Sequence, residues 1–492
     1  MSEKKIGFDS QLYLKLQSER IMERVGQFGK LYLEFGGKLY DDYHASRVLP
    51  GFAPDNKLKM LEKLRDRVEM VIVISAEAIE QQKMRGDLGI TYDADALRLK
   101  AVFEKHGFYV GSIVITQFAG QQGAVKFRQK LDNMGIRTYL HYNIEGYPSN
   151  IPLIVSDDGY GKNDYIETER DLIVVTAPGP GSGKMATCLS QLYHENKRGV
   201  KAGYAKFETF PVWNLPLQHP VNLAYEAATA DLDDVNMIDP YHLEAYGETT
   251  VNYNRDVEVF PVLRAIFESI LGGECPYKSP TDMGVNMVGM AISDDEVCRE
   301  AARQEIIRRY FQTAAAVKRG NAPREELFKQ ELLMKKAGCK PADRAVVGKA
   351  LLREELTGMP AMAIELPDGR IVTGKTSALL GPASAALMNA LKAAGNMSDG
   401  DLVEAAAIEP IQQLKTKYLG GHNPRLHSDE TLIALSVSAS VSERARFAME
   451  QLPALRGAQA HSTVLMSSVD ENVYRKLGIE LTCGPEIEAK EQ

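Results

Sequence analysis

The chain has 492 residues, a net charge of −8 at neutral pH, 44% hydrophobic residues and 25% charged residues. This length suffices for roughly two to four domains, and the composition is typical of a soluble globular protein. The negative charge, with no dense block of Lys and Arg, argues against nucleic acid as a partner. No apolar run approaches the roughly 20 residues of a membrane span, so we expect a cytoplasmic protein.

The first 210 residues alternate short apolar runs with amphipathic stretches. The runs that predict strands are 31–35, 68–75, 112–117, 137–142, 172–176 and 201–207. Strands that alternate with helices require crossover connections. The pattern therefore predicts an α/β fold with a doubly wound, mostly parallel sheet.

The rest of the chain changes character twice. Helical patterns at 257–271, 294–319 and 323–337 predict a helical insertion. Beyond it, 361–366 and 370–373 flank a Pro-Asp-Gly turn and predict a hairpin, 383–394 predicts a helix, and 431–438 and 461–468 predict strands. We therefore expect three parts: a P-loop-like α/β domain at 1–235, a helical subdomain at 236–340 and a second α/β domain at 341–492.

The most specific motif lies at 171–185 and reads DLIVVTAPGPGSGKM. A predicted strand ends at a loop with three glycines, a lysine closes the loop, and a helical pattern follows. Glycines let backbone amides approach a phosphate, the lysine adds positive charge, and the helix start adds further amides. The residues predicted to hold the phosphates are Gly179, Gly181, Ser182, Gly183 and Lys184.

Two positions depart from the usual phosphate-loop pattern G-x-x-x-x-G-K-[ST]. Pro178 stands where the first glycine belongs, and Met185 stands where a hydroxyl residue normally contacts Mg²⁺. A thioether does not replace that hydroxyl. The alternative is a glycine-rich turn between a strand and a helix that binds nothing.

Further candidates lie just after this motif. The predicted strand at 201–207 ends beside Lys206, Glu208 and Thr209, and carboxyl ends of parallel strands face the ligand in such sheets. Lys184, Lys206 and Glu208 are the predicted catalytic residues, although ordinary polar strand ends would look the same. Asp239 is the acid chosen as a metal ligand, for Mg²⁺, over the nearby Asp231, Asp233 and Asp234, which are also typical of turns and helix caps.

The segment from the glycine loop onward resembles the branch of P-loop enzymes that contains dethiobiotin synthetases and CTP synthetases. Those enzymes carry a lysine-bearing strand after the loop helix, and CTP synthetases also carry an Asp-Pro-Tyr before a glycine, as at 239–241 here. The likeness covers about 75 residues.

The whole chain resembles a bacterial family known as domain-of-unknown-function family 1846, or uncharacterised protein family 0371. The segments that carry this resemblance are LYLEFGGKLYDDYHASRVLPGF (31–52), TAPGPGSGKMATCLSQLYHE (176–195) and DGRIVTGKTSALLGPASAALMNALK (368–392), with support from 461–478. The resemblance implies a P-loop-like N-terminal domain, a helical insertion and a C-terminal α/β domain. It implies no activity.

Weaker candidates lie elsewhere. Residues 369–376 (GRIVTGKT) satisfy the phosphate-loop pattern formally, but Gly369 belongs to the predicted hairpin turn. His422, His427 and His461 suggest a hydrolase-like site in the C-terminal domain, although no G-x-S-x-G turn accompanies them. His44 and Arg47, near Asp41 and Asp42, follow the first strand. The remaining candidate at a helix start is 381–384.

The leading hypothesis is a protein that binds a nucleotide such as ATP, with Mg²⁺, or another phosphorylated small molecule. Phosphoryl transfer or ATP-dependent ligation is the chemistry that such a loop serves. The alternative is a non-catalytic structural or ligand-sensing protein with a vestigial loop, which Met185 and Pro178 favour. We expect a homo-oligomer and a small-molecule phosphorylated ligand.

Overall fold

The computed structural model describes residues 5–37, 39–40, 42–85 and 88–486. The chain divides into two compact units, 5–302 and 303–492. The boundary lies inside a long helix. The three-domain division expected from the sequence stays a prediction.

The first unit contains eleven strands among its described residues. They are β1 (Leu31–Phe35), β2 (Val68–Ser75), β3 (Met84–Arg85), β4 (Ile90–Thr91), β5 (Tyr109–Phe118), β6 (Thr138–Tyr142), β7 (Leu172–Thr176), β8 (Gly203–Phe207), β9 (Asn236–Ile238), β10 (Val251–Tyr253) and β11 (Gly284–Val285). Seven of them form one sheet in the order β11-β8-β1-β7-β2-β5-β6. Every pairing in this sheet is parallel, which confirms the predicted mostly parallel sheet.

Helices flank this sheet. They are α1 (Ser10–Phe28), α2 (Tyr43–Val48), α3 (Asn56–Glu62), α4 (Ala76–Glu80), α5 (Tyr92–Lys105), α6 (Gln122–Asn133), α7 (Ile151–Ile154), α8 (Lys184–Lys197), α9 (Pro220–Ala228), α10 (Pro240–Tyr246), α11 (Asn254–Leu271), α12 (Pro280–Met283) and α13 (Asp295–Lys318), the last of which crosses the boundary between the units. The strands β1, β2, β7 and β8 are buried along their whole length, and most of their residues are apolar or β-branched. The charged exceptions are Glu34, Glu69 and Lys206.

The second unit is built on a four-stranded sheet in the order β13-β12-β14-β15. Its strands are β12 (Ala361–Glu365), β13 (Ile371–Lys375), β14 (Gln459–Val464) and β15 (Glu480–Glu486), and its helices are α14 (Arg324–Ala337), α15 (Ala345–Thr357), α16 (Pro382–Ala394), α17 (Ala405–Gln413), α18 (Ser428–Ser438), α19 (Glu443–Glu450) and α20 (Ser468–Leu477). The antiparallel pair β12–β13 is the predicted hairpin. The predicted second α/β unit is confirmed.

The predicted strand at 431–438 is wrong, because this segment belongs to the helix α18. Its β-branched residues favour a strand, but Thr431, Ala434 and Leu435 bury one helical face. The amide of His427 donates to the Glu430 carboxylate, which fixes the helix start. The predicted strand at 461–468 is also too long, because β14 ends at Val464.

The second unit also buries a group of charges. Glu305 has no exposed side-chain surface, and it accepts two hydrogen bonds of 2.6 Å from Arg308 and one of 2.9 Å from Arg309. Arg344 is buried as well and donates to Gln459 and to the Glu480 carbonyl. The Glu305 carboxylate pairs with two guanidinium groups, and this pairing offsets the free-energy cost of removing their charges from water.

Among the described helices, none is both long enough and apolar enough to cross a bilayer.

Candidate functional site

The glycine loop leaves the central strand of the seven-stranded sheet. β7 lies between β1 and β2, and the chain passes from β7 to β8 on the far side of β1. From β2 the chain passes the other way, to β5. The strand order therefore reverses at β7, which makes this position a topological switch point. In open parallel sheets, ligands bind in a crevice at the carboxyl ends of the strands at such a point.

Two glycines of the loop adopt left-handed backbone conformations, and two side-chain hydroxyls bind loop carbonyls. Gly181 and Gly183 have φ angles of 74° and 81°, in the left-handed region that favours glycine. Ser182 Oγ donates to the Gly179 carbonyl at 2.6 Å, and Thr116 Oγ1 donates to the Ser182 carbonyl at 2.7 Å. The amides of residues 181–186 donate no hydrogen bond to any residue that the structure describes.

The helix α8 begins at the end of this loop. Gly183 is its N-cap residue and provides no side chain to cap the first amides. Uncapped amides at a helix start, together with the helix dipole, form a site that attracts anions. The predicted loop residues Gly179, Gly181, Ser182, Gly183 and Lys184 are thus brought together at one helix start.

Lys184 is the first residue of α8 and is partly buried. Its ammonium makes no hydrogen bond or ion pair with a described residue. Burial lowers the pKa of Lys184, while the charge of Glu34 acts in the opposite direction. A partly buried ammonium that forms no ion pair with a described residue gains stability from an incoming anion.

Lys206, in contrast, is fully engaged by the protein. Its Nζ donates to Tyr253 Oη and Asp256 Oδ2, and it lies 2.8 Å from Glu208 Oε1. Burial acts to lower the pKa of Lys206, but the carboxylates of Asp256 and Glu208 outweigh it and raise the pKa well above its usual value. An ammonium has three donors, and all three have partners here.

Glu208 lies beside Lys206 at the carboxyl end of β8. Burial raises the pKa of Glu208 to about 7, although Lys206 acts to lower it. Gly36, just after β1, packs closely on this segment, because a Cβ there would lie 2.9 Å from the Phe207 carbonyl oxygen. Lys206 and Glu208 are therefore neighbours at the same sheet edge as the glycine loop. Their predicted catalytic roles stay predictions.

Asp239 caps the helix α10. Its Oδ1 accepts from the amides of Tyr241 and His242, and its Oδ2 accepts from the amide and hydroxyl of Thr281. Four protein donors thus occupy a carboxylate that is fully buried. Within the described residues, no group of three or more His, Cys, Asp or Glu side chains is arranged to hold a metal ion. A metal at Asp239 stays a prediction.

The other acids of this segment are dispersed. Asp234 forms an ion pair with Arg255, with 2.6 Å between Arg255 Nε and Asp234 Oδ1. Asp233 has a φ of 57° at the end of a short turn, and Asp231 is exposed. This geometry is that of a turn in which one buried carboxylate pairs with a partly exposed arginine.

The candidates after β1 have structural partners. The ring of His44 packs edge-on against Phe210 with 5.1 Å between centroids. Asp42 accepts from the Ala45 amide and forms a buried ion pair of 2.8 Å with Lys57. Arg47 also lies in α2, whereas Asp41 lies outside the described residues.

In the second unit, residues 369–376 do not form a loop before a helix. Gly369 occupies the turn between β12 and β13, with a φ of 86°, and Lys375 is the last residue of β13. At 381–384, Ser384 Oγ donates to the Leu426 carbonyl, and the segment begins α16. The segment 369–376 therefore forms part of a hairpin, and 381–384 forms a helix start.

The predicted histidine site divides into separate environments. His461 is buried in β14, where its Nδ1 lies 2.9 Å from Thr482 Oγ1 and burial lowers its pKa to about 3. His427 Nδ1 lies 2.9 Å from Asp470 Oδ2. The structure gives these two histidines different partners, and His422 is in the loop 419–427.

Asp470 joins the starts of two helices. Besides His427, it accepts hydrogen bonds from Ser428 and Ser467. Burial would raise the pKa of Asp470, but these hydrogen bonds outweigh it and lower the pKa to about 2. The hydrogen bond to Asp470 in turn raises the pKa of His427, with Lys415 and Glu430 as the other charged groups that act on it. The arrangement ties α18 to α20.

This pairing predicts a pH dependence of stability. The Asp470 carboxylate stabilises the fold above its unfolded pKa of about 3.9, and this contribution is lost as the pH falls toward 2. The His427 contribution is present below about pH 6.5 and is lost as the pH rises through its raised pKa. Between about pH 3.9 and pH 6.5, we expect Asp470→Asn to lower the free energy of unfolding by about 2 kcal/mol. Urea unfolding at several pH values measures this, with the exposed Asp399→Asn as control. Equal losses in both variants would contradict the pairing.

A second prediction concerns the loop glycines. At Gly183, a Cβ would lie 3.1 Å from Thr116 Oγ1 and the φ is left-handed, so Gly183→Ala is expected to cost about 1–2 kcal/mol of unfolding free energy. Gly26, inside α1, has open space around its Cβ position, so Gly26→Ala is expected to leave stability equal or higher. Thermal unfolding of the two variants checks this. An unchanged melting temperature for Gly183→Ala would contradict the left-handed conformation at position 183.

Several side chains at this edge were not predicted from the sequence. Glu34, Tyr253 and Asp256 all surround the lysines, and Tyr204 Oη donates to Glu34 at 2.6 Å. Glu34 is the single charged residue in an apolar strand, which is a usable signal. Tyr253 and Asp256 come from a later segment, and nothing in the local pattern brings them to β8.

Fold and site together define a class of α/β proteins in which an open parallel sheet carries a glycine-rich loop between its central strand and the next helix. The chain belongs to the DUF1846 family. Residues 6–338 match the model of the domain of unknown function DUF1846, N-terminal, and residues 342–492 match that of DUF1846, C-terminal. The family resemblance inferred from the sequence is thereby confirmed.

Curated bacterial relatives extend over nearly the whole chain. A UPF0371 protein of Streptococcus thermophilus (strain ATCC BAA-491 / LMD-9) is 60% identical over 484 residues, which is 98% of each chain. A UPF0371 protein of Streptococcus pneumoniae (strain JJA) is 59% identical over the same length and share. Neither name states an activity.

Proposed function

We propose that the first unit binds a phosphorylated small molecule at residues 179–184. The observation that carries the proposal is the run of amides at 181–186, next to Lys184. Neither these amides nor the Lys184 ammonium has a partner among the described residues. The amides would hold phosphate oxygens, and the Lys184 ammonium would neutralise their charge.

A nucleotide such as ATP is the ligand class to test first. The protein itself offers Mg²⁺ little: Met185 has no hydroxyl, and the Asp239 carboxylate is occupied by four donors. Mg²⁺ would therefore have to arrive with the nucleotide. In a phosphoryl transfer, Lys184 would stabilise charge on the phosphoryl oxygens, while Lys206 would position Glu208.

The second candidate is ligand sensing without catalysis, and the observation that favours it is Met185. Phosphate would then be held by the amides and Lys184 alone. The two functions differ in their metal dependence, since catalysis of phosphoryl transfer needs Mg²⁺ to neutralise the charge that develops.

The test is a calorimetric titration of the full chain with ATP, ADP and inorganic phosphate, each with and without Mg²⁺. A titration with sodium chloride at equal ionic strength is the control for a general effect of salt. We expect binding of at least one phosphate compound and a matching rise in melting temperature. Binding that strengthens with Mg²⁺ supports the enzyme, and binding without metal dependence supports the sensor. No binding of any of the compounds would contradict the proposal.

The proposed homo-oligomer is tested separately. Light scattering after size-exclusion chromatography should give a mass of at least twice the 54.4 kDa of one chain. A mass of one chain at micromolar concentration would contradict it.

A further inference from the structure

A small cleft opens where β8 and β11 end. Glu208 follows β8 and Asn286 follows β11, and Trp213, Asn252 and Thr281 complete much of the wall. The cleft has a volume of about 20 Å³. That is room for about one water molecule or one hydroxyl group.

The two carboxylate oxygens of Glu208 differ in their surroundings. Oε1 accepts from Tyr253 Oη and lies 2.8 Å from Lys206 Nζ. Oε2 has no hydrogen-bond partner among the described residues, and 15% of the side chain is exposed. Lys206 and Tyr253 thus fix the carboxylate in place and leave one acceptor without a partner in a side chain that lines the cleft.

Most other polar side chains in the wall are occupied. Asn286 Nδ2 donates to the carbonyls of Thr209 and Pro211 at 3.3 and 3.2 Å, and Thr281 Oγ1 donates to Asp239 at 2.6 Å. Asn252 Nδ2 has one long contact of 3.4 Å with Thr281, so one of its two N–H groups is unused. Trp213 Nε1 also has no hydrogen-bond partner among the described residues. The residues of the wall therefore hold one open acceptor, on Glu208, and two unused N–H donors, on Asn252 and Trp213.

We infer that this cleft binds a hydroxyl group, of water or of an alcohol, which donates to Glu208 Oε2 and accepts from Asn252 Nδ2. The carboxylate is then in contact with a proton that it can take up. As part of the proposed phosphoryl transfer, on which this step rests, the proton moves to Oε2 while the oxygen's electron pair forms the new bond to phosphorus. The bond from phosphorus to the leaving group breaks, and the leaving oxygen keeps that electron pair.

The charge around Glu208 suits this role. Burial raises the pKa of Glu208 to about 7, the Lys206 charge and the Tyr253 hydrogen bond act to lower it, and Asp256 acts to raise it. The hydroxyl of Tyr225 also lies within reach of the Glu208 charge. An acid with a pKa near neutrality both takes up and releases protons under cellular conditions.

Trp213 is the only tryptophan of the chain and lines the cleft. Its fluorescence therefore reports on changes in the cleft, and Glu208→Gln identifies the part that comes from Glu208. We expect the emission of the full chain to change between pH 5.5 and 8.5 with a midpoint near 7, and Glu208→Gln to abolish this change. No transition, or an unaltered one in Glu208→Gln, would overturn the inference.

A second variant guards against a Glu208→Gln protein that fails to fold. Tyr253→Phe removes the hydrogen bond to Oε1, so the midpoint should move to higher pH. A midpoint that stays the same or falls would count against Glu208 as its source.

A high-resolution crystal structure at pH 8 tests the occupant, with water itself as the probe. A water oxygen within hydrogen-bond distance of Glu208 Oε2 supports the inference, and a dry cleft overturns it. Failure of the phosphate proposal is distinguishable, because Lys184→Ala should weaken phosphate binding but keep the Trp213 transition. Glu208→Gln should keep phosphate binding but remove the Trp213 transition.

Discussion

Replacing Lys184 by alanine is expected to weaken the binding of ATP or inorganic phosphate by about 10- to 100-fold. The lysine makes no ion pair with a described residue, so its charge is available to the ligand. A charge-assisted hydrogen bond contributes about 1.5–3 kcal/mol, and each 1.4 kcal/mol is a factor of ten in affinity. Isothermal titration calorimetry at fixed ionic strength measures the change.

The matched control is Lys15→Ala, which removes an exposed lysine from α1 in the same unit. Its affinity should equal that of the parent. If both variants bind phosphate as the parent does, the ligand lies elsewhere. If both lose affinity equally, the effect comes from net charge and not from the glycine loop.

Glu305→Gln is expected to reduce the free energy of unfolding of the second unit by about 3–5 kcal/mol. The variant removes the charge that pairs with Arg308 and Arg309, and the Arg308 side chain is only 7% exposed. Burial acts to lower the pKa of Arg308, and Glu305 is the main group that raises it. Without that carboxylate, a buried guanidinium keeps its charge and retains only the more distant Glu480, whose Oε2 lies 4.0 Å from Arg308 Nη1.

Urea unfolding of the full chain, followed by circular dichroism, gives the measurement. The control is Glu331→Gln, an exposed position on α14 of the same unit, where the change should stay within about 0.5 kcal/mol. A loss at position 305 no larger than at 331 would mean that Arg308 finds another anion.

The central sheet was readable from the sequence because its strands are buried on both faces. The predicted bounds of β1, β2 and β7 agree with the structure, since each is an apolar run that ends at polar or glycine residues. The two-residue strand β11 carries no such signal, and pairing with β8 alone defines it. The strand predicted at 431–438 is wrong because local propensity and tertiary packing disagree there. The β-branched residues of this segment favour a strand, but packing makes it the helix α18.

The site was predictable only in part. Parallel strand ends meet at one edge, so Lys206 and Glu208 were expected near the glycine loop. The partners that hold them, Tyr253 and Asp256, come from the chain after β9, and no local spacing reveals that contact. The capping role of Asp239 depends on Thr281, which is likewise distant in sequence.

The position of β7 also constrains how this protein is made. β1 and β2 are not neighbours, and the gap between them is filled by a strand that leaves the ribosome after β5 and β6. Until then the nascent chain exposes two apolar strand edges, which are open to wrong pairing. Fragments that stop before residue 172 should therefore aggregate, and the sheet can close only once the segment that carries the glycine loop has emerged.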